Sequence, residues 1–421
     1  MTKHVRYHLG WRCSLCGAEY QPDQVTYTCL RCGDAGILDA VYDYAALARA
    51  VSPQTLAARG EGSHWRYWPL LPLERTAIVP PLQVGWTPLY ATPRLARAAG
   101  VRALWVKDEG RNPTGSLKDR ASALVTAIAR ARGEQVVTTA STGNAAAALA
   151  GMAAAMALTA VIFAPASAPP AKIVQLLAYG ARVLLVQGNY DAAYELCLAA
   201  AREFGWYCRN TAYNPYTAEG KKTIACEVAE QLGWRAPDWV VVSVGDGNII
   251  TGLHRGFADL LALGWIERMP RLLGVQASGA AAVHEAWLRG DSDITPVAAR
   301  TLADSIAADR PRDGRRALRA LRATAGASVA VSDEEILDAI PALAQGCGVF
   351  AEPAAAAGYA GLQRAIAAGI VDANAEIVLI ATGNGLKDIE SARRATMPPT
   401  TIVPELAAVA PVAEEMKTNC G

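Results

Sequence analysis

The sequence predicts an α/β fold built on parallel sheets, and three patterns support this prediction. Short apolar runs alternate with longer alanine-rich runs whose apolar residues recur with a helical period. The short runs are almost continuous in Val, Leu and Ile, as expected of strands buried on both faces. Polar or glycine-rich turns follow several of them, at the strand ends where ligands bind in such sheets. The predicted strands are 104–107, 136–140, 160–163, 183–186, 239–244, 272–275 and 377–381.

Composition limits the partners and the location of the protein. The chain has 421 residues, enough for two or more domains, and 40 Lys and Arg balance 39 Asp and Glu. Because there is no basic block, we expect no nucleic acid as a main partner. The uncharged run 145–164 is mostly Ala and Gly, which insert weakly, so we expect no membrane span. The charged N-terminal sequence lacks a signal segment, which predicts a cytoplasmic protein.

The N-terminal cysteines form two C-x-x-C pairs separated by twelve residues, and a glycine follows each pair. Four thiolates at this spacing can converge tetrahedrally on one zinc ion, and a site with four protein ligands is structural rather than catalytic. Disulfides are the alternative, but they do not suit a reducing cytosol. We therefore predict a zinc ribbon in residues 1–36, followed by a linker with helical segments in 37–60. The predicted zinc ligands are Cys13, Cys16, Cys29 and Cys32.

One lysine, Lys118, stands between a Pro/Gly turn and an alanine-rich helical run, in the segment Asn112–Arg120. Apolar neighbours such as Leu117 can desolvate its amine until the proton is lost, and the neutral amine is a nucleophile for a carbonyl. A solvated lysine at a helix start is the alternative that this segment alone leaves open.

Three strand ends carry further candidate residues. The turn after 136–140 offers hydroxyls and backbone N–H groups at a helix start, where they could hold a small carboxylate or simply cap the helix. The turn after 239–244 contains paired glycines that let the backbone wrap a phosphate. The turn after 377–381 contains a threonine that could bond a heteroaromatic nitrogen or be an ordinary turn residue. The candidates are Ser141, Thr142, Gly143, Asn144, Gly245, Asp246, Gly247, Asn248, Ile249 and Thr382.

Four motifs, in the order N-P-T-G-S-x-K-D-R, S-T-G-N, V-G-D-G-N and T-G-N-G-L-K-D, resemble those of the threonine synthases among the fold-type II pyridoxal-phosphate enzymes. The resemblance spans Trp65 to Asp388 and extends upstream to the predicted ribbon. It implies the fold of the tryptophan synthase β subunit, with two open parallel-sheet domains. The large cofactor domain, with an N-terminal arm, would comprise 37–120 and 238–421, and the small α/β domain 121–237.

The resemblance also implies residue roles. Lys118 would bond the cofactor aldehyde and serve as the base, Asn144 would bond the ring oxygen and Thr382 the ring nitrogen. The backbone of Gly245 to Ile249 would hold the cofactor phosphate, and Ser141, Thr142 and Gly143 the substrate carboxylate. The implied enzyme is a homodimer that converts O-phospho-L-homoserine and water to L-threonine and phosphate.

Two departures from the family pattern leave the substrate open. Ala145 stands where family members carry a hydroxyl. No arginine lies near Thr217 to hold the leaving phosphate, although Lys221 or Lys222 could bind it instead. A pyridoxal-phosphate-dependent serine or threonine dehydratase, or a β-replacement enzyme, is the alternative. A third hypothesis is a binding protein without activity, in which the ribbon recruits a partner.

Overall fold

The computed structural model describes residues 7–419, and none of their helices combines the length and apolar character needed to cross a membrane. The strands are His8–Cys13 (β1), Glu19–Tyr20 (β2), Thr28–Cys29 (β3), Gly33–Tyr42 (β4), Leu89–Ala91 (β5), Ala103–Asp108 (β6), Val136–Ala140 (β7), Thr159–Pro165 (β8), Arg182–Val186 (β9), Tyr207–Cys208 (β10), Trp239–Ser243 (β11), Arg271–Ala277 (β12), Ala327–Val331 (β13) and Glu376–Ala381 (β14). The helices are Tyr44–Ala50 (α1), Pro53–Ala57 (α2), Pro93–Ala99 (α3), Lys118–Ala131 (α4), Asn144–Ala155 (α5), Pro170–Ala178 (α6), Tyr190–Phe204 (α7), Tyr216–Gln231 (α8), Asn248–Ala262 (α9), Ala282–Arg289 (α10), Gly314–Ala323 (α11), Asp333–Cys347 (α12), Pro353–Ala367 (α13), Ile389–Arg394 (α14) and Ala410–Asn419 (α15).

The N-terminal unit is an antiparallel sheet with strand order β2-β1-β4-β3. Strand β4 runs across the predicted ribbon boundary at residue 36 and ends at Tyr42. The prediction of a linker with helical segments was therefore wrong for 37–42 and holds only beyond them, where α1 and α2 lie. The sequence pattern did not predict this strand because Asp39 interrupts its apolar residues. In the structure, the Asp39 carboxylate forms ion pairs with Arg255 and Arg316.

The larger parallel sheet has strand order β13-β12-β11-β14-β6-β5, in which only β5 is antiparallel. It confirms the strands predicted near 104–107, 239–244, 272–275 and 377–381. Val240, Val241 and Leu379 are fully buried, as a sheet covered by helices on both faces requires. The sequence did not reveal β5 or β13, which are short or contain polar residues.

The second sheet is parallel throughout, with strand order β10-β7-β8-β9. It confirms the strands predicted near 136–140, 160–163 and 183–186, whereas β10 has only two residues and offers no periodic pattern. Its strands fall within 121–237 and those of the larger sheet lie outside that range. Helix α8 packs against both α4 and α9, so the boundary at 237 stays a prediction.

A buried ionic network joins β6, α4 and α8. Arg120 pairs with Glu109 at 2.7 Å and with Glu227 at 2.5 Å, and Lys107 reaches the second oxygen of Glu227 at 2.7 Å. The paired side chains are fully buried. Although burial raises the pKa of Glu227, Arg120 and Lys107 hold it well below its usual range. Because each charge has hydrogen-bonded partners, the network fixes the first turn of α4 against the sheet.

Removing the negative charge at the centre of this network should destabilise the protein strongly. Glu227→Gln leaves Lys107 and Arg120 short of a counter-charge in a dry interior, and we expect a loss of about 3–5 kcal/mol in the free energy of unfolding. Urea unfolding followed by tryptophan fluorescence measures it. The matched control is Glu390→Gln, which removes an exposed partner of Arg393 and should change little. Equal stability of the two variants would contradict this account.

Candidate active site

Lys118 is the first residue of α4 and directly follows the loop that joins β6 to this helix, at the strand-to-helix junction that the sequence predicted. Its loop is bonded to the turn after β14, since Leu117 N donates to the Thr382 carbonyl and Asn384 N donates to the Gly115 carbonyl, both at 3.0 Å. Strands β6 and β14 are parallel neighbours, so their carboxyl ends meet at the same edge of the sheet.

A cavity of about 420 Å³ opens at the carboxyl ends of both sheets. A smaller cavity of about 40 Å³ shares with it the lining residues Lys118 and Thr211 and the loop that follows β11. The structure thus brings most of the predicted site residues together. Those on the large cavity are Lys118, Ser141, Thr142, Gly143, Asn144, Gly245 and Asp246. Those on the small cavity are Lys118, Lys221, Gly245, Asp246, Gly247, Asn248 and Ile249.

The amine of Lys118 is set up to lose its proton. Burial lowers the pKa of Lys118 to about 8, although the carboxylate of Glu352 opposes the shift. The position at a helix N-terminus adds a positive dipole end beside the amine and further disfavours the charged form. The side chain therefore has an appreciable neutral fraction near neutral pH, as a nucleophile or a general base requires.

Glu352, which sequence reasoning missed, holds Asn144 in place. The amide nitrogen of Asn144 lies 2.9 Å from each carboxylate oxygen of Glu352 and 3.3 Å from the Ser305 hydroxyl. Glu352 is almost fully buried, and burial raises its pKa. A bond from Asn144 to a ligand oxygen would replace the longer contact, to Ser305. The only signal in the sequence was a Glu-Pro pair before a helical run.

The Ser141 turn leads from β7 into α5, and the capping alternative is wrong here. Gly143 occupies the N-cap position, and no side chain caps the helix. The Ser141 hydroxyl lies 3.2 Å from the Gly143 backbone nitrogen instead. The first N–H groups of α5 are thus free of side-chain caps, which is the arrangement that binds anions such as a carboxylate.

The turn after β11 fits a phosphate group. Gly247 is the N-cap of α9 and has a φ of 93°, a left-handed conformation that glycine adopts without strain. No side chain caps α9, and the buried hydroxyl of Ser243 has no hydrogen-bond partner among residues 7–419. Backbone N–H groups, this hydroxyl and the nearby amine of Lys221 form a donor set that matches a phosphate dianion. The residues present therefore fit the phosphate of a pyridoxal cofactor.

Two predicted residues take positions that the sequence did not specify. Lys221 lies beside the turn that follows β11, where its amine donates to the Asn248 side chain. It does not lie beside the Ser141 turn. Asn248 in turn donates to Asp313 at 2.8 Å. Thr382 is buried next to Leu117 but is not among the described residues that line either cavity.

The four N-terminal cysteines also converge. Their Sγ atoms all lie within 4.8 Å of one another, and those of Cys16 and Cys29 are 3.7 Å apart. The hydroxyl of Tyr20 lies 3.0 Å from the Sγ atom of Cys29. This arrangement of thiols fits a four-coordinate metal ion.

A parallel α/β body that brings a desolvated lysine and two turns at helix N-termini together at its strand ends is typical of a cofactor-dependent enzyme. Residues 81–383 match the family described as "Pyridoxal-phosphate dependent enzyme", so the chain belongs to this class of enzyme and has its fold.

Full-length relatives narrow the assignment. Threonine synthase from Methanocaldococcus jannaschii is 39% identical over 93% of this chain and 96% of its own length. Threonine synthase from Methanosarcina acetivorans is 38% identical over 94% of this chain and 96% of its own length. The chain belongs to the threonine synthase family.

Solved structures agree with the fold. The processed form of threonine deaminase isoform 2 from Solanum lycopersicum covers 74% of this chain and 87% of its own, with a TM-score of 0.64 and 24% identity. Maize serine racemase covers 80% of this chain and 94% of its own, with a TM-score of 0.62 and 21% identity. At these identities the similarity concerns the fold alone.

Proposed function

We propose that this protein is a pyridoxal-phosphate-dependent threonine synthase, a lyase that converts O-phospho-L-homoserine and water to L-threonine and phosphate. The observation that carries the proposal is the similarity to threonine synthases along almost the whole chain. The desolvated Lys118 at the meeting point of two turns supports it, because this reaction needs an amine that takes up and releases protons.

The cofactor, when bound, supplies an electron sink for charge that develops at the substrate Cα atom. Lys118 would hold its aldehyde carbon, and Asn144 its ring oxygen. The backbone from Gly245 to Ile249 would hold its phosphate. Thr382 remains the proposed partner of the ring nitrogen.

The remaining steps follow from this chain's residues. The Ser141, Thr142 and Gly143 turn would bind the substrate carboxylate at the N-terminus of α5. This anchor directs Cα and Cβ toward Lys118, whose neutral amine can take the proton from Cα, release it, and then take a proton from Cβ. The phosphate group leaves Cγ, a proton is added at Cγ, the hydroxyl of water is added at Cβ, and a proton returns to Cα. A pKa of about 8 lets one amine act first as a base and then as an acid.

A dehydratase or β-replacement activity is the second candidate, and two observations favour it. Ala145 lines the large cavity without a hydroxyl. Thr217 is fully buried, and its hydroxyl donates to the Asn214 carbonyl at 2.8 Å, so it offers nothing to a phosphate. Both differences stand at positions where the family pattern would supply polar groups.

The proposal extends to the N-terminal unit and to the assembly. Cys13, Cys16, Cys29 and Cys32 would bind one structural zinc ion. The protein would act in the cytoplasm as a homodimer, in keeping with the family resemblance.

Activity is tested by measuring inorganic phosphate and threonine released from O-phospho-L-homoserine by the cofactor-loaded protein. We expect both products in equal amounts. Lys118→Ala should lower kcat by at least about 10²–10⁴-fold, the contribution of a positioned acid–base group, while its circular dichroism spectrum stays unchanged. Ammonia and a 2-oxo acid released from serine or threonine, with no phosphate release from O-phospho-L-homoserine, would favour the second candidate instead.

Metal analysis of the purified protein tests the ribbon. We expect a single zinc ion per chain, and Cys29→Ser should lower both the zinc content and the thermal midpoint, because structural zinc contributes directly to folding. Cys347→Ser is the matched control, since Cys347 lies outside the cluster. A wild-type protein free of metal yet equally stable would disprove this assignment.

A further inference from the structure

Arg209 is a buried cation without a counter-ion. The residue follows β10, is fully buried, and forms no ion pair with any carboxylate in residues 7–419. Its Nε atom donates to the Ser122 hydroxyl at 3.3 Å and its Nη1 atom to the Thr211 hydroxyl at 2.9 Å. Its Nη2 atom has no hydrogen-bond partner among these residues. Arg120 is equally buried, but two carboxylates neutralise it.

Backbone hydrogen bonds hold Arg209 beside the Ser141 turn. Its N–H donates to the Thr138 carbonyl at 2.7 Å. The side-chain oxygen of the next residue, Asn210, accepts from the Thr139 hydroxyl at 2.9 Å and the Ala140 N–H at 2.8 Å. On the other side, the hydroxyl of Tyr27 from the N-terminal unit accepts from the Cys208 N–H at 2.9 Å. These contacts keep the guanidinium in place although its burial is unfavourable.

A bound anion would stabilise the buried positive charge of Arg209. Burial lowers the pKa of Arg209 to about 10, so the group stays charged at neutral pH. A buried charge with an unsatisfied donor costs free energy, and a bound anion would recover it; the carboxylates of Asp246 and Asp119 act on Arg209 without pairing with it. Burial also lowers the pKa of Lys221 well below its usual range, with further contributions from Arg209 and Lys118. A bound anion would favour the charged form of each of these three basic side chains.

The cavity linings separate this anion from the cofactor phosphate. The small cavity is lined by Gly247, Asn248, Ile249 and Lys221 and not by Arg209, whereas Gly245 and Asp246 line both cavities. Arg209 lines the large cavity, together with Ser141, Thr142 and Gly143. An anion bound by Arg209 would thus lie on the same side as the proposed substrate carboxylate.

We propose that Arg209 binds the phosphate group of the substrate and so does the work for which the family pattern places an arginine near Thr217. The inference rests on the proposed function, because it assigns the leaving group of that reaction. A guanidinium offers a phosphate two parallel N–H donors, which makes it selective for phosphorylated over neutral substrates.

Two other arginines on the large cavity do not share these properties. Arg312 is paired with Asp191 at 2.8 Å. Arg310 is exposed to solvent at the cavity. Arg310→Met therefore removes one positive charge from the same cavity without removing a buried donor, and it is the matched control.

The test compares Arg209→Met, Arg209→Lys and Arg310→Met as cofactor-loaded proteins. For Arg209→Met we expect a KM for O-phospho-L-homoserine raised by about 10- to 150-fold, the range for lost hydrogen bonds to a charged group, and an equal rise in the inhibition constant of inorganic phosphate. Arg209→Lys should recover part of the loss. Cofactor affinity, measured by titration of pyridoxal phosphate, should not change.

Thermal unfolding separates ligand binding from a structural role. Inorganic phosphate should raise the midpoint of the cofactor-loaded wild type and of Arg310→Met, but not that of Arg209→Met. Without phosphate, Arg209→Met should be at least as stable as the wild type, because it removes an unpaired buried charge. Lower stability without phosphate, or an equal phosphate response in all proteins, would overturn the inference. Absence of wild-type phosphate release from O-phospho-L-homoserine would refute the proposed function, while the thermal response to phosphate would still decide whether Arg209 binds the anion.

Discussion

The ion pairs of Arg120 with Glu109 and Glu227 are the interaction on which the site depends. Arg120 lies in the first turn of α4, two residues beyond Lys118, and its ion pairs tie that turn to the residue directly after β6 and to α8. A buried network of this kind is favourable only when every charge is satisfied, so it allows few alternative positions for the chain. The network therefore also fixes the position of Lys118 at the start of α4, where it lines the large cavity.

The cavity shows the opposite electrostatic pattern. Burial lowers the pKa of Lys118, Lys221 and Arg209, and none of them forms an ion pair with a carboxylate in the described part of the chain, whereas the neighbouring network balances each cation. A protein interior leaves cations unneutralised mainly where an anionic ligand completes the site. A cofactor phosphate and a phosphorylated amino acid together would supply the missing negative charges, which connects the proposed reaction to the architecture of the cavity.

Sequence patterns predicted the larger part of the fold, because most strands of both parallel sheets are apolar runs of four or more residues. They failed for β4, where Asp39 breaks the apolar pattern, and for β10, where two residues carry no period. At the site, residues within compact motifs could be proposed from spacing. Glu352 and Arg209 could not, because they lie far from those motifs in sequence, and only the strand order of the two sheets brings them to the cavity.

The central claim is that the amine of Lys118 bonds the cofactor aldehyde. The most direct test is to load the protein with pyridoxal phosphate, reduce it with borohydride and map the modified peptide by mass spectrometry, since reduction makes the bond between amine and aldehyde permanent. We expect one labelled residue, Lys118. A label on any other lysine, or no label after cofactor loading, would contradict it.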